Sequence, residues 1–549
     1  MLRLLMGAAL LNVLLLLPLW LRFGGLSMRW IALEALLLAA LLALLPAGGR
    51  VAWLRWPVLV AVVAAMLAAL GDAATHVAFG RSLNLYLDLP LLRSVFHLLE
   101  GNLGRVVALA ASLLGLLLTV LGIWLLSRLL CGLQGLARGG LAAGLAGVML
   151  AASGTLVATE FHHPRLLPVA RTPLLDTLRF QGQQLVETHR AHRDFVVRMA
   201  ESPAPAQALE GLAGRDVLLV FVESYGVAAL FDERYAGRVV PRLEEMAERF
   251  EAAGLSVVSG TLEAPIRGGQ SWLAHASILS GLRIDNPLWY RLMLASDQAT
   301  LVDDFRATGH RTLTVMPAIT LAWPEGEAYG FDEIHAAADI DYAGPALNWV
   351  TMPDQFTLHY FEKHLRSGGP PMPPSAREPL FAQIALISSH APWTPVIPVL
   401  DDWSEVGDGS VFRRWADAGD PPEVLWQDLE RVRDHYAMSL DYALHASTRW
   451  AEEFVDDDTL LILLGDHQAA PLITGEETSG GVPVHVISGA PALLEPFLAR
   501  GFVTGTLPPP DDAQAGVDRP GMERLRGWLH EDFGSRSGDV RVRTVPNER

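Results

Sequence analysis

The sequence predicts an α/β protein in two parts: an N-terminal transmembrane helix bundle of about five spans, then a domain built on a largely parallel central sheet flanked by helices. Three observations predict it. Apolar runs of membrane length crowd residues 1–160. From Asp216 onward, short Val/Ile/Leu-rich runs of strand length alternate with helical stretches. Those runs are apolar at successive positions, which indicates strands buried on both faces, as in a parallel sheet covered by helices.

The runs long enough to cross a bilayer lie at about 4–21, 30–46, 54–71, 105–126 and 139–158. The first has no small-residue cleavage site and four more follow it, so it reads as an anchor. Residues 82–103 are apolar but broken by Asp88, Pro90, Arg93, His97 and Glu100, the pattern of an interfacial or re-entrant segment. With the N-terminus in the cytoplasm, five spans place the remainder outside it. Arg3, Arg50, Arg55, Arg128 and Arg138 then flank the inner side and Arg22, Arg29, Arg81, Arg93 and Arg105 the outer, so positive charge does not choose between orientations.

The two parts differ in charge. Residues 1–160 hold ten arginines and five acidic residues, which leaves −23 of the total −18 for residues 161–549. An acidic soluble portion excludes a nucleic-acid partner, because phosphate backbones are held by Lys and Arg. Lys363 is the one lysine and stands in no GxxxxGK[ST] motif, so a P-loop is excluded. Cys131 is the one cysteine, which excludes disulfides within the chain and Cys-based zinc sites.

Residues 161–212 read as an amphipathic juxtamembrane linker lying along the membrane surface and ending near Ser202-Pro203-Ala204-Pro205. Residues 213–535 form the second domain and 536–549 a tail. Its strands are expected at 216–222, 255–260, 311–316, 381–388, 459–465 and 482–488, with loops at 367–374 and 506–520.

Ligands of open α/β sheets bind beyond the carboxyl ends of strands. Three runs end there in chemically useful residues: Glu223-Ser224-Tyr225-Gly226, Ser389-His390-Ala391-Pro392-Trp393 and Asp466-His467-Gln468. Singly, each is as well a helix cap or a solvated loop. Together Glu223, Asp466 and His467 supply two carboxylates and an imidazole, a donor set suited to one divalent ion, Mn²⁺ or Zn²⁺ with Mg²⁺ as an alternative. A nucleophile candidate is Ser271, in Gly268-Gly269-Gln270-Ser271, at or near a helix N-terminus that favours a phosphate. On that segment alone a helix cap is the simpler role. His275, one helical turn on, and His485, within a strand, face the site or merely pack. Arg267 and Arg283 flank the nucleophile segment, where they hold a phosphate or stay solvated. His162 and His163, just past the last span, read as interfacial.

In order along the chain, VFVESYG, GGQSWLAHASILSG, ISSHAPW and LLGDHQ resemble the sulfatase-like branch of the alkaline phosphatase superfamily, and within it the membrane-anchored lipoteichoic acid synthases and phosphoglycerol or phosphoethanolamine transferases. Pro241-Arg242-Leu243, Tyr329-Gly330-Phe331-Asp332 and Met352-Pro353-Asp354-Gln355 accompany them. The motifs cover about 216–490.

The resemblance implies an alkaline-phosphatase-like fold for the second domain. Glu223, Asp466 and His467 would bind the metal, with Ser271 as nucleophile and fourth ligand. His390 would contact the substrate, with Trp393 nearby, and Arg267, His275 and His485 would lie further out. It implies a multi-pass protein of the bacterial inner membrane with its catalytic domain on the extracytoplasmic side. The partners are then the membrane, a phospholipid donor and an envelope glycan or lipid acceptor.

Some details depart from the family. Those synthases and transferases carry threonine where Ser271 stands. Trp-Leu-Ala follows Ser271 in place of the x-Pro-x-Arg that sulfatases need. The disulfides and Thr-x-Thr-Ala of phosphoethanolamine transferases are missing, which favours phosphoglycerol as the group moved. The expected activity is transfer of a phospholipid head group through a phosphoseryl intermediate. The alternatives are a phosphodiesterase or phosphatase of the same fold, and a non-catalytic envelope lipid sensor.

Overall fold

The computed structural model describes residues 2–22, 30–79, 82–88, 96, 100, 104–162, 169–201, 205–321, 323–367, 378–475, 478–509 and 519–534. The chain divides into two compact units, Met1–Arg193 and Asp194–Arg549.

In the first unit, α1 (Leu2–Arg22), α3 (Arg55–Phe79), α4 (Arg105–Leu133) and α5 (Gly140–His162) are apolar along most of their length. Four segments, Leu2–Arg22, Ala52–Val77, Arg105–Leu133 and Gly140–Glu160, are long and apolar enough to cross a membrane. Leu113, Leu117, Leu121 and Trp124 of α4 are exposed, as suits a helix whose solvent is lipid.

The run expected to span at 30–46 differs. It folds as α2 (Leu33–Leu44), 12 residues long. Twelve residues rise about 18 Å, short of a hydrocarbon core of about 30 Å. Its start is held by Asn12, whose Oδ1 accepts from Ala32 N–H at 2.7 Å, and by the pairing of Ile31–Ala32 with Ala170–Arg171. The Pro46 to Gly49 stretch follows its end. Among the described residues, four segments are of full spanning length and α2 is a fifth, shorter apolar helix, close to the about five expected.

Buried Glu34 of α2 accepts a hydrogen bond from Leu175 N–H at 3.0 Å, in the first turn of α6 (Pro173–Glu201). That carboxyl oxygen satisfies one of the helix donors that have no partner within their own helix. α6 carries the amphipathic pattern read at 161–212. Of the segment read as interfacial, only 82–88, 96 and 100 are described residues.

The second unit holds an eight-stranded sheet. Its strands are β1 (Asp216–Val222), β2 (Ser256–Glu263), β3 (Arg311–Met316), β4 (Glu333–Ala336), β5 (Leu380–Leu386), β6 (Thr459–Gly465), β7 (Gly481–Ser488) and β8 (Val503–Thr504). The order is β8-β2-β7-β6-β1-β5-β3-β4. The five strands from β6 to β4 are parallel, while β7, β2 and β8 add on antiparallel. The sheet is thus largely parallel, as expected, with an antiparallel flank of three strands. An unbroken apolar run reports burial of both faces, and it is silent on strand direction. β7 and much of β2 are buried yet antiparallel.

Along β1 the two faces separate cleanly. Leu218, Val220 and Val222 point into one core with α7 (Glu233–Ala252) and α9 (Leu429–Phe454). Val217, Leu219 and Phe221 point into the other, with α8 (Ser271–Ser280). Two short edge strands, β4 and β8, were not expected from the sequence, because four and two residues carry too little pattern to stand out from loop.

Candidate active site

β1 and β6 are adjacent and parallel, with Val222 opposite Gly465. Glu223 and Asp466, each one residue past its strand, therefore emerge side by side. Gly465 allows the close approach: a Cβ there would lie 1.7 Å from the carbonyl oxygen of Tyr225. Past β1 the chain turns sharply at Ser224, in the left-handed region at φ 57°. That conformation lets Ser224 N–H donate to Asp466 Oδ1 at 2.8 Å and its hydroxyl donate to Glu223 Oε1 at 2.9 Å. Tyr436 of α9 anchors the turn by donating to Ser224 O at 2.9 Å. Ser389, in the loop after β5, donates to Glu223 O at 2.6 Å.

Ser271 arrives from the other direction. Gly268, Gly269 and Gln270 all have positive φ, and Gly268 N–H donates to Gln468 O at 2.9 Å, which ties this loop to the one carrying His467. α8 then begins at Ser271 with no side chain capping its first turn. The Ser271 hydroxyl does not cap the helix. It donates to Glu223 Oε2 at 3.0 Å and lies 3.4 Å from His467 Nε2.

Glu223, Asp466 and His467 are buried, and one ligand atom from each lies within 4.8 Å of the others. His467 Nε2 is 3.3 Å from Glu223 Oε1 and 3.9 Å from Asp466 Oδ2. On its other side His467 Nδ1 faces Gln468 O at 3.0 Å, so the proton sits on Nδ1 in the neutral ring and the Nε2 lone pair turns to the cluster. Asp466 Oδ1 also accepts from His467 N–H.

Burial and the neighbouring Glu223 charge push the Asp466 carboxyl up to about 8. Burial also works to raise Glu223, but His467 more than offsets it and holds that carboxyl below its ordinary range. Burial works to lower His467, and the two carboxylates reverse it and push the ring up to about 9. One carboxylate held low and one high is what two like charges in a buried site require.

The remaining expected site residues separate into two groups. His390 is half-buried after β5, its Nδ1 2.5 Å from Ala391 O, and its charge lies near enough to Glu223 to help hold that carboxyl low. Arg267 donates to Gly475 O at 3.0 Å and pairs with Gln468 through the backbone. Arg283 lies 3.9 Å from Glu523.

Trp393, His275 and His485 are buried, each against partners of its own. Trp393 is 4% exposed, donates to Ser389 O at 2.7 Å and stacks on Trp426. His275 lies against Phe221, its Nδ1 3.2 Å from Gln383 Nε2, and burial pushes it down to about 3. His485 lies between Tyr225 Oη and Ser259 Oγ, at 3.0 and 2.8 Å, and burial pushes it down to about 4. Conversely, Ser224, Ser389 and Tyr436 support the cluster without having been assigned a role. Ser224 and Ser389 stand inside motifs read from the sequence, whereas nothing local marks Tyr436.

Fold and site together define an α/β domain in which an alcohol, two carboxylates and an imidazole converge past the central strands of a mixed sheet. Solved structures to which the chain is similar include the lipoteichoic acid synthase LtaP from Listeria monocytogenes, at 12% identity over 63% of this chain and 79% of that one, with a TM-score of 0.37. The periplasmic domain of EcEptC from Escherichia coli matches at 14% identity over 60% and 86%, TM-score 0.37. The Streptococcus pyogenes phosphoglycerol transferase GacH, in complex with sn-glycerol-1-phosphate, matches at 13% identity over 62% and 89%, TM-score 0.32. No protein-family model matches the chain, and no curated protein matches it.

Proposed function

We propose that the chain is a membrane-bound, metal-dependent phosphotransferase that moves a phospholipid-derived head group onto an envelope glycan or lipid through a phosphoseryl intermediate. The observation that carries this reading is the convergence of Ser271 Oγ with Glu223, Asp466 and His467. A helix-capping serine would point at its own backbone, and this one points at a buried carboxylate.

The residues fit a divalent cation. Two carboxylates and a lone pair turned inward by the Nδ1 contact are a hard, mixed O/N donor set, and positive charge at their centre offsets the repulsion that raises Asp466. Glu223, Asp466, His467 and Ser271 would hold it. When bound, a divalent ion supplies Lewis acidity, lowering the proton affinity of a coordinated alcohol and neutralising phosphoryl charge.

The protein groups supply the rest. Glu223 Oε2, accepting from Ser271 Oγ, aims the hydroxyl at phosphorus, and the proton Oγ loses as it attacks passes to solvent. The Oγ–P bond forms and the bond from phosphorus to the lipid alcohol oxygen breaks. His390, at the rim, is placed to protonate the departing diacylglycerol oxygen. The N-terminus of α8 faces the developing phosphoryl charge. An acceptor hydroxyl then attacks the phosphoseryl group and releases Ser271. Water in the acceptor's place gives the hydrolase reading.

Phosphoglycerol is preferred over phosphoethanolamine, as argued from the missing cysteines and Thr-x-Thr-Ala. The membrane-length helices keep the domain at the surface that holds the lipid donor. We place the protein in a bacterial inner membrane with this domain on the extracytoplasmic side.

The test is turnover of head-group-labelled phosphatidylglycerol by the full chain in lipid nanodiscs, with peptide mass spectrometry of Ser271. Label in a glycan or lipid acceptor together with phosphorylated Ser271 supports transfer. Free glycerol phosphate alone supports the hydrolase. No turnover with the metal-loaded chain overturns both.

A further inference from the structure

Outside the metal cluster, the half-buried Trp349 packs on a site histidine: its ring centroid lies 5.4 Å from that of His390, with 31° between the planes. The contact is built by the backbone. Leu347 and Val350 exchange hydrogen bonds, N–H to O at 2.7 Å and 3.1 Å, closing a two-residue turn with Asn348 and Trp349 at its tip. Asn348 is in the left-handed region at φ 57°, a conformation that costs most residues and that asparagine tolerates. Its side-chain amide donates to Thr394 O, in the same loop as His390. Thr351, just past the turn, donates to Pro317 O at 2.6 Å and fixes the segment to the loop after β3.

The His390 loop is held equally firmly from the other side. Ser389 is bonded to Glu223, and Trp393 Nε1 to Ser389 O. The imidazole of His390 is bonded at Nδ1 only to the adjacent Ala391 O, a contact that leaves rotation about Cβ–Cγ to be limited by what lies against the ring. Trp349 lies against it.

We infer that Trp349 is a positioning residue for His390: the Asn348–Trp349 turn clamps the His390 loop and the indole fixes the imidazole so that Nε2 serves the substrate. The inference rests on the proposed function. A tryptophan that merely fills space would stabilise the fold regardless of what residue 390 is. A tryptophan that acts through His390 matters only when the imidazole is there.

The experiment is a double-mutant cycle on the full chain in nanodiscs, with bis(p-nitrophenyl) phosphate as a soluble diester and metal content and Tm recorded for each variant. Trp349→Ala is expected to lower kcat about tenfold, with KM, metal content and Tm little changed, and Trp349→Phe to recover most of the loss. In a His390→Gln background, Trp349→Ala is expected to cost nothing further. The same fold-loss in both backgrounds overturns the inference, as does unchanged kcat in Trp349→Ala. A Trp349→Ala chain whose Tm falls in step with its kcat, with no rescue by phenylalanine, also overturns it in favour of a packing role. Failure of the metal-loaded wild-type chain to turn over any diester is a different result: it removes the functional reading itself, and this inference with it.

Discussion

Ser271 Oγ donates to Glu223 Oε2 across 3.0 Å, joining a helix N-terminus to the end of a central strand 48 residues away in the chain. Neither residue is remarkable alone, since a serine opening a helix and a glutamate past a strand both have ordinary structural roles. Their contact assigns them to one site.

If Ser271 is the attacking group, Ser271→Ala is expected to lose at least ~10³-fold in kcat while its unfolding midpoint stays near that of the parent. Ser271→Thr keeps an alcohol at the same place and is expected to retain turnover within about tenfold. Comparable turnover by the alanine variant would rule out the phosphoseryl route.

Asp466 both faces the cluster and accepts two backbone N–H groups through Oδ1. Asp466→Asn keeps an acceptor for those N–H groups but removes the charge. It is expected to leave the fold in place and to weaken metal binding by more than the roughly 10–100-fold that loss of a supporting hydrogen bond costs. Elemental analysis after dialysis against graded chelator measures it. Unchanged metal retention would take Asp466 out of the ligand set.

Gly465 has no room for a methyl group, because its neighbour is the backbone of Tyr225, which cannot swing aside. Gly465→Ala is expected to destabilise the domain by about 3 kcal/mol or more and to displace Asp466 with it. Gly214→Ala provides the contrast. That glycine has φ +81° and open space around it, so only the left-handed conformation of an alanine opposes the change, at about 1–2 kcal/mol. Chemical denaturation of the two variants gives the ranking, and equal losses would contradict it.

Burial pushes His485 from an ordinary 6.5 down to about 4. Between those values the folded chain binds fewer protons than the unfolded one, so stability rises with pH through that window. The contribution is fully present above pH ~6.5 and is lost as pH falls towards 4, by on the order of 3 kcal/mol for this one group. His485→Gln, which keeps a donor and an acceptor, is expected to flatten the pH dependence of the denaturation midpoint between pH 4.5 and 6.5. A residual slope remains from His275, which is shifted in the same direction. A slope identical to the wild type would show that His485 is not the buried group responsible.

Much of the fold was legible residue by residue. The runs at 216–222, 311–316 and 459–465 are strands with those bounds, because six- or seven-residue stretches rich in Val, Leu, Ile and Thr leave few other structures. The antiparallel edge was not legible, since β2 and β7 carry the same both-faces-buried pattern as the parallel strands. The apolar run at 30–46 folds as the shorter helix α2, because hydropathy records an apolar environment and is blind to a neighbour such as Asn12 that sets where a helix begins.

The sequence by itself determined the classes of side chain available: one lysine, one cysteine, a helix-rich apolar first part, and strand ends carrying Glu223, Asp466 and His467. These follow from residue type and local periodicity, which act over a few positions. Only the tertiary structure decided which of them meet. The β1–β6 register sets Glu223 beside Asp466, the Gly268–Gln468 tie brings Ser271 to them, and Trp393, His275 and His485 are buried among core side chains. Those outcomes depend on pairings between residues tens to hundreds of positions apart, and no local pattern encodes them.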